Sequence, residues 1–189
     1  MAAVKNKLIK NFFTKEELNL FQIYCSKRLN VNKDYIIDDT FSPSFDQDCL
    51  TNALLQTKTQ LVEKESGFKL FPTYSYWRYY IFGANLAKHS DRPACEISVT
   101  ACIKKYDNWP IVIEGHSFEL EEGDAILYAG CTQEHWRPGV YKGEGMAQVF
   151  FHYVDKNGPF THHAYDNYWL QTGQIESEKD KKIMEKAKQ

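Results

Sequence analysis

No stretch of the 189-residue sequence approaches the run of about 18 apolar residues that a membrane-spanning helix requires. The opening MAAVKNKLIKNFF also lacks an apolar core of signal-peptide length, so the expectation is a soluble, cytoplasmic chain with no membrane partner. An excess of one charge is missing too. Lys and Arg total 23 against 25 Asp and Glu, which leaves no global basic surface of the kind a dedicated nucleic-acid binder needs. The five cysteines, Cys25, Cys49, Cys95, Cys102 and Cys131, are odd in number and widely spaced, with no C-x-x-C pair. That pattern argues against both a disulfide framework and a zinc knuckle, and favours thiols that pack in a reduced compartment. Internal repeats are absent.

What is present is apolar and aromatic. At 43% apolar and 15% aromatic residues the chain can bury one substantial core, which predicts a single domain over 1–175 followed by a charged tail, 176–189, that is solvated as a helix or frays. Thr14 and Glu17 form a T-x-x-E capping box ahead of Leu18, Phe21 and Cys25 at helical spacing, predicting a helix over 15–28. A second helix is expected to open near Ser44 and Gln47, to carry Leu50, Leu54, Thr57 and Leu61 on one face, and to close at Gly67. Residues 1–70 are therefore read as a helical buttress.

Beyond residue 70, β-branched and aromatic runs separated by turn signals predict strands at 74–82, 95–104, 110–113, 117–120, 125–129 and 146–154. Helices ahead of six or more strands give a mainly β fold with flanking α: a sandwich or barrel over 71–155, braced on one side. Residues 156–175 extend it, and the aromatic segment 160-FTHHAYDNYWL-170 is either a substrate lid or a packed extension.

His89 and Asp91 stand two apart, so in an extended segment both side chains leave the same face and can reach one metal ion. The pattern H-x-D is short and common, and its context carries the weight. In 80-YIFGANLAKHSD-91 the residues Tyr80, Gly83, Leu86 and His89 recur every three positions before the pair is completed by Asp91. The segment resembles the prolyl-hydroxylase branch of the Fe(II)- and 2-oxoglutarate-dependent oxygenases, whose pattern is Y-x-x-G-x-x-[aromatic or aliphatic]-x-x-H-x-D before a strand. Further on, 123-GDAILYAG-130 followed by His135, Pro138, Val140 and Gly143 is similar to that family's second element, with Pro138 one residue early.

The resemblance implies a double-stranded β-helix, a jelly-roll or cupin-like barrel, with Fe(II) held by His89, Asp91 and His135 at one open end. Two imidazoles and a carboxylate on one face of the ion leave three positions for a chelating co-substrate and O2. It further implies oxidative decarboxylation of 2-oxoglutarate to succinate and CO2, coupled to hydroxylation of a C–H bond, with ascorbate as a candidate reductant. As substrate the resemblance implies a peptidyl residue such as proline, or a small molecule.

One position departs from the pattern. The relatives carry an Arg or Lys ten residues beyond the distal histidine for the far carboxylate of the co-substrate, and here that position is Gly145. A buried dianion without a cation is costly, so another basic residue is required. Lys104, on the strand after H-x-D, is the first candidate, with room provided by Gly145; Arg137 and Arg78 are the next, and Tyr80 is placed to hydrogen-bond the co-substrate. His116 is expected in a surface turn and His152 packed in the last strand or approaching the site; Trp109 and Trp136 are open between core and substrate surface. Two rival readings share the triad: a metal-binding barrel without 2-oxoglutarate turnover, and a cupin-like zinc hydrolase or isomerase that needs no oxygen.

Overall fold

A computed structural model describes residues 4–31, 35–46 and 48–166, together with 182–183 and 185–186. Its spine is a seven-stranded sheet of antiparallel pairs in which the longest strands, β4 (Leu70–Tyr80), β5 (Ile97–Lys105) and β10 (Met146–Asp155), lie side by side in the order β5-β10-β4. Strand β8 (Ala125–Tyr128) extends it beside β5. A second sheet of three short strands, β6 (Ile111–Ile113), β7 (His116–Phe118) and β9 (His135–Trp136), has the order β7-β6-β9. Two antiparallel sheets braced by helices are the jelly-roll architecture expected from the sequence. No helix among the described residues is long and apolar enough to cross a membrane.

Alternation along the strands builds two distinct interiors. Trp77, Val99, Ala101, Leu127, Val149 and Phe151 point outward into a core closed by Phe21 and Cys25 of α1 (Lys15–Val31) and by Leu55 and Val62 of α2 (Cys49–Ser66). The intervening residues Tyr76, Arg78, Tyr128, Phe150 and His152 line a cavity of about 220 Å³ that Ile111 and His135 of the second sheet also line. The helices thus stiffen the large sheet from behind, and the cavity opens on its other face.

The capping box forms as predicted: the Glu17 amide donates to Thr14 Oγ1 at 3.2 Å, and the Thr14 amide donates to Glu17 Oε2 at 2.8 Å. Gly67 closes α2 with φ of 80°, a left-handed turn suited to glycine. The start of α2 differs from the expectation. Ser44 lies in a strand, β3 (Pro43–Asp46), because Phe45 stacks on Trp77 with ring centroids 3.9 Å apart, a burial that an extended backbone makes possible. Asp48 takes over as the cap, accepting from the Leu50 amide at 2.9 Å and the Thr51 amide at 3.3 Å.

The first 70 residues are more than a helical buttress. Besides β3 they supply β1 (Lys7–Ile9), which pairs with β8, and β2 (Ile36–Ile37), which pairs with β3, so both edges of the large sheet come from this region. Runs of two to four residues show too little alternation to register as strands; covering an open sheet edge is what fixes them. The predicted Gly-Asp turn is a hub: Gly123 adopts φ of 90°, and Asp124 accepts from Lys10 Nζ at 2.6 Å and from the Asn11 amide at 3.1 Å. The tail 176–189 lies outside the described residues apart from 182–183 and 185–186.

Asp48 also accepts from the Tyr24 hydroxyl at 2.6 Å, which ties α1 to the start of α2. Replacing Asp48 by Ala should therefore cost about 2 kcal/mol of unfolding free energy, the lost cap plus a hydroxyl deprived of its acceptor. Urea denaturation reads this directly; a loss below about 0.5 kcal/mol would mean the cap is dispensable.

Candidate metal centre

The segment that carries His89 and Asp91 joins β4 to β5 and is pinned to the second sheet by backbone hydrogen bonds, with Lys88 adding an ion pair to Glu134 at 2.6 Å. The His89 amide donates to the His135 carbonyl at 3.1 Å, and the His135 amide returns a bond to His89 at 2.8 Å. A narrow antiparallel bridge of this kind sets the two imidazoles side by side, with ring centroids 4.4 Å apart. Two residues on, the Asp91 amide donates to the Gly130 carbonyl at 2.9 Å, which anchors the carboxylate beneath them.

Each imidazole faces a carbonyl two residues before it: His89 Nδ1 lies 2.8 Å from the Ala87 oxygen and His135 Nδ1 lies 2.9 Å from the Gln133 oxygen. A carbonyl only accepts, so each Nδ1 carries the proton and each Nε2 presents a lone pair. Both Nε2 atoms are 3.6 Å from the same oxygen, Asp91 Oδ1, a spacing that accommodates one ion at the roughly 2.1 Å distances usual for such ligands. Burial raises the Asp91 pKa, but the His135 and His89 imidazoles outweigh it and hold the carboxyl well below its ordinary range. The contact with Asp91 raises the His89 pKa against burial. The triad can thus hold one divalent ion through three convergent donors.

Gly130 makes the packing of the carboxylate possible. A methyl group there would lie 2.6 Å from Asp91 Oδ2 and 2.7 Å from the Cys95 carbonyl. The glycine ends the matched segment GDAILYAG, but its role shows only when the β8 turn is laid against Asp91.

The basic candidates separate cleanly. Lys104 does not reach the cavity. A bulge sets Ala147 opposite Lys104 and Gln148 opposite Cys102, so the alternation of β5 breaks at Ile103 and Lys104 turns to the helix-covered face. There it is 41% exposed and pairs with Glu122 at 3.0 Å. The space at Gly145 is no vacancy for it, since a Cβ at that position would lie 1.9 Å from the Tyr79 hydroxyl.

Arg78 lines the cavity, but Asp38 neutralises it at 2.5 Å while its Nη1 donates to the Tyr80 hydroxyl at 3.1 Å. Tyr80 is itself fully buried. Arg137 is different. It lines the cavity at 3% exposure, lies 5.5 Å from the centre of the Tyr80 ring and 5.4 Å from that of Trp109, and gives Nη1 to the Trp109 carbonyl. Its Nε and Nη2 complete no hydrogen bond, although the Tyr80 hydroxyl stands near the guanidinium, and no carboxylate pairs with it among the described residues. Burial weakens its hold on its proton.

His116 is exposed, as expected, and Trp109 is a core residue whose indole donates to the Pro138 carbonyl at 2.8 Å. His152, placed by sequence in the last strand, also lines the cavity. Of the 160–170 segment, 160–166 lines no part of the cavity: Phe160 is buried against Cys131 and Val154, and Asp166 pairs with Arg92 at 2.5 Å. Residues 167–170 lie outside the described residues.

No family model matches the chain, and no curated protein matches it in sequence. Solved structures do resemble it. A prolyl-4-hydroxylase from Pseudomonas putida aligns with a TM-score of 0.65 and 13% identity over 82% of this chain and 95% of that one. An oxidoreductase of the 2OG-Fe(II) oxygenase family from Burkholderia pseudomallei gives 0.63 and 14% identity over 81% of this chain and 86% of that one. The epimerase SnoN, in complex with Fe3+, alpha ketoglutarate and nogalamycin RO, gives 0.66 and 9% over 81% and 80%. Likeness at such identities establishes a common fold, the double-stranded β-helix anticipated from the motifs.

The geometry predicts that Gly130→Ala lowers affinity for a divalent ion by about 10- to 100-fold, because it displaces the Asp91 carboxylate without removing a donor. Anaerobic titration with Fe(II) or Mn(II), beside a thermal melt to confirm folding, is the check. Unchanged affinity would show that Asp91 is not a ligand in the position seen here.

Proposed function

We propose that the chain is an Fe(II)- and 2-oxoglutarate-dependent oxygenase in which His89, Asp91 and His135 hold the metal and Arg137 receives the distal carboxylate of 2-oxoglutarate. The observation that carries this reading is the buried guanidinium of Arg137, with two unpartnered nitrogens, in the wall of the cavity that the triad also lines. An uncompensated buried cation costs several kcal/mol, a cost that an arriving anion removes.

The charges close. A divalent ion against Asp91 keeps one positive charge, Arg137 adds a second, and 2-oxoglutarate brings two negative ones. Arg78 and Asp38 cancel each other and drop out of the balance. A set of two imidazoles and one carboxylate suits Fe(II), and the triad supplies that set with both Nε2 atoms free. Bound iron and 2-oxoglutarate together supply oxygen activation, coupling release of succinate and CO2 to hydroxylation of a substrate C–H bond.

The chain's own residues orient and shield. The Ala87 and Gln133 carbonyls fix both imidazole tautomers, and Tyr76, Tyr128, Phe150 and Ile111 give the cavity an aromatic and aliphatic wall that limits water. Asp39, Thr40 and Asn85 provide polar contacts for a substrate in the same cavity. A peptidyl residue such as proline, or a small molecule, is the proposed substrate class, supported by the resemblance of the 80–91 and 123–143 motifs to prolyl hydroxylases.

Iron-loaded protein should convert 2-oxoglutarate to succinate only when oxygen is present; conversion of substrate without oxygen would favour a hydrolytic or isomerising metal enzyme instead. Arg137→Ala should weaken 2-oxoglutarate binding by about 100-fold or more while iron binding persists, as expected when one member of a buried charge pair is removed. Lys104→Ala should leave binding unchanged. The reverse pattern would move the anchor to Lys104 and remove the argument from Arg137.

A further inference from the structure

The triad uses one oxygen of Asp91. The other, Oδ2, is buried without a hydrogen-bond partner, and so is Nε2 of His152, a residue only 2% exposed. Asp91, Cys95 and His152 each offer one ligand atom, and the three atoms lie within 4.8 Å of one another. Two orphaned polar atoms beside a thiol form a donor set that the proposed oxygenase chemistry leaves unexplained.

The surroundings of these donors suit a metal. Ser98 Oγ donates to the Cys95 carbonyl at 3.3 Å, so its one proton is spent; at 2.9 Å from His152 Nδ1 it therefore accepts from that nitrogen. His152 is thereby held as the tautomer with a bare lone pair on Nε2. Cys95 Sγ lies 3.1 Å from the Tyr74 hydroxyl. Binding an ion requires none of these supporting hydrogen bonds to break.

We propose that Asp91, Cys95 and His152 form a second metal site, selective for a thiophilic divalent ion such as Zn(II) or Co(II). One thiolate and one carboxylate neutralise the ion, and neutral imidazole completes a sulfur, nitrogen and oxygen set that zinc accepts and hard cations do not. Because Asp91 belongs to both sets, Oδ1 facing His89 and His135 and Oδ2 facing the second site, two divalent ions would repel each other across the shared carboxylate and compete. That competition rests on the reading of the triad as a metal centre; the second site itself does not.

Co(II) titrated anaerobically into the metal-free protein reads out thiolate ligation as an intense near-ultraviolet charge-transfer band. The band is expected in the wild type and in a His89→Ala, His135→Ala double variant, and is expected to be lost in Cys95→Ser. Persistence in Cys95→Ser would assign the band to another cysteine and overturn the proposal, as would its absence from the wild type. X-ray absorption on the Zn(II)-loaded wild type needs no variant: one sulfur at about 2.3 Å supports the site, and a shell of nitrogen and oxygen alone rejects it. Failure of the triad to bind iron would leave the cobalt band in place, so the two readings fail separately.

Discussion

Two backbone hydrogen bonds between His89 and His135, at 3.1 and 2.8 Å, hold the candidate centre together. They join a loop to a two-residue strand, elements that on their own have little reason to stay in register. The bridge places both imidazoles on one side, and the bond from Asp91 to Gly130 brings the carboxylate to meet them. Three donors separated in sequence by up to 46 positions converge because main-chain pairing, which is indifferent to side-chain identity, does the positioning. The side chains are then free to keep lone pairs for a ligand.

Charge distribution in the cavity follows from the same division of labour. Arg78 is satisfied by Asp38 from outside the barrel core, so it contributes shape and a hydrogen bond to Tyr80 without a net field. Arg137 has no such partner among the described residues, and its unfilled nitrogens belong with the empty half of Asp91 and the bare Nε2 of His152 as groups that a protein rarely buries unused. Their concentration around one cavity is the physical ground for reading that cavity as a binding site.

Much of this was legible in the sequence, for identifiable reasons. The capping box at Thr14 and Glu17, the glycine closing α2 and the alternation of the long strands are local signals, and the structure follows them. The closeness of His89, Asp91 and His135 was legible through two motifs. What sequence missed depends on events between distant segments. Ser44 reads as a helix start until Phe45 finds Trp77. Lys104 reads as facing the cavity until the bulge at Ile103 reverses it, and a bulge has no compositional mark here. Gly145 reads as a vacancy, whereas Tyr79 fills the space. Cys95 and His152 had no motif to mark them as partners of Asp91.

The central claim is that one cavity takes a divalent ion and a dianion whose charges complete each other, which makes the two bindings reciprocal. Anaerobic calorimetry of 2-oxoglutarate against the protein with and without Fe(II) measures this most directly. The account predicts one 2-oxoglutarate per chain, bound much more tightly with iron present and accompanied by the visible absorption of a 2-oxo acid chelate. Equal affinity with and without iron, or no binding in either case, would contradict it.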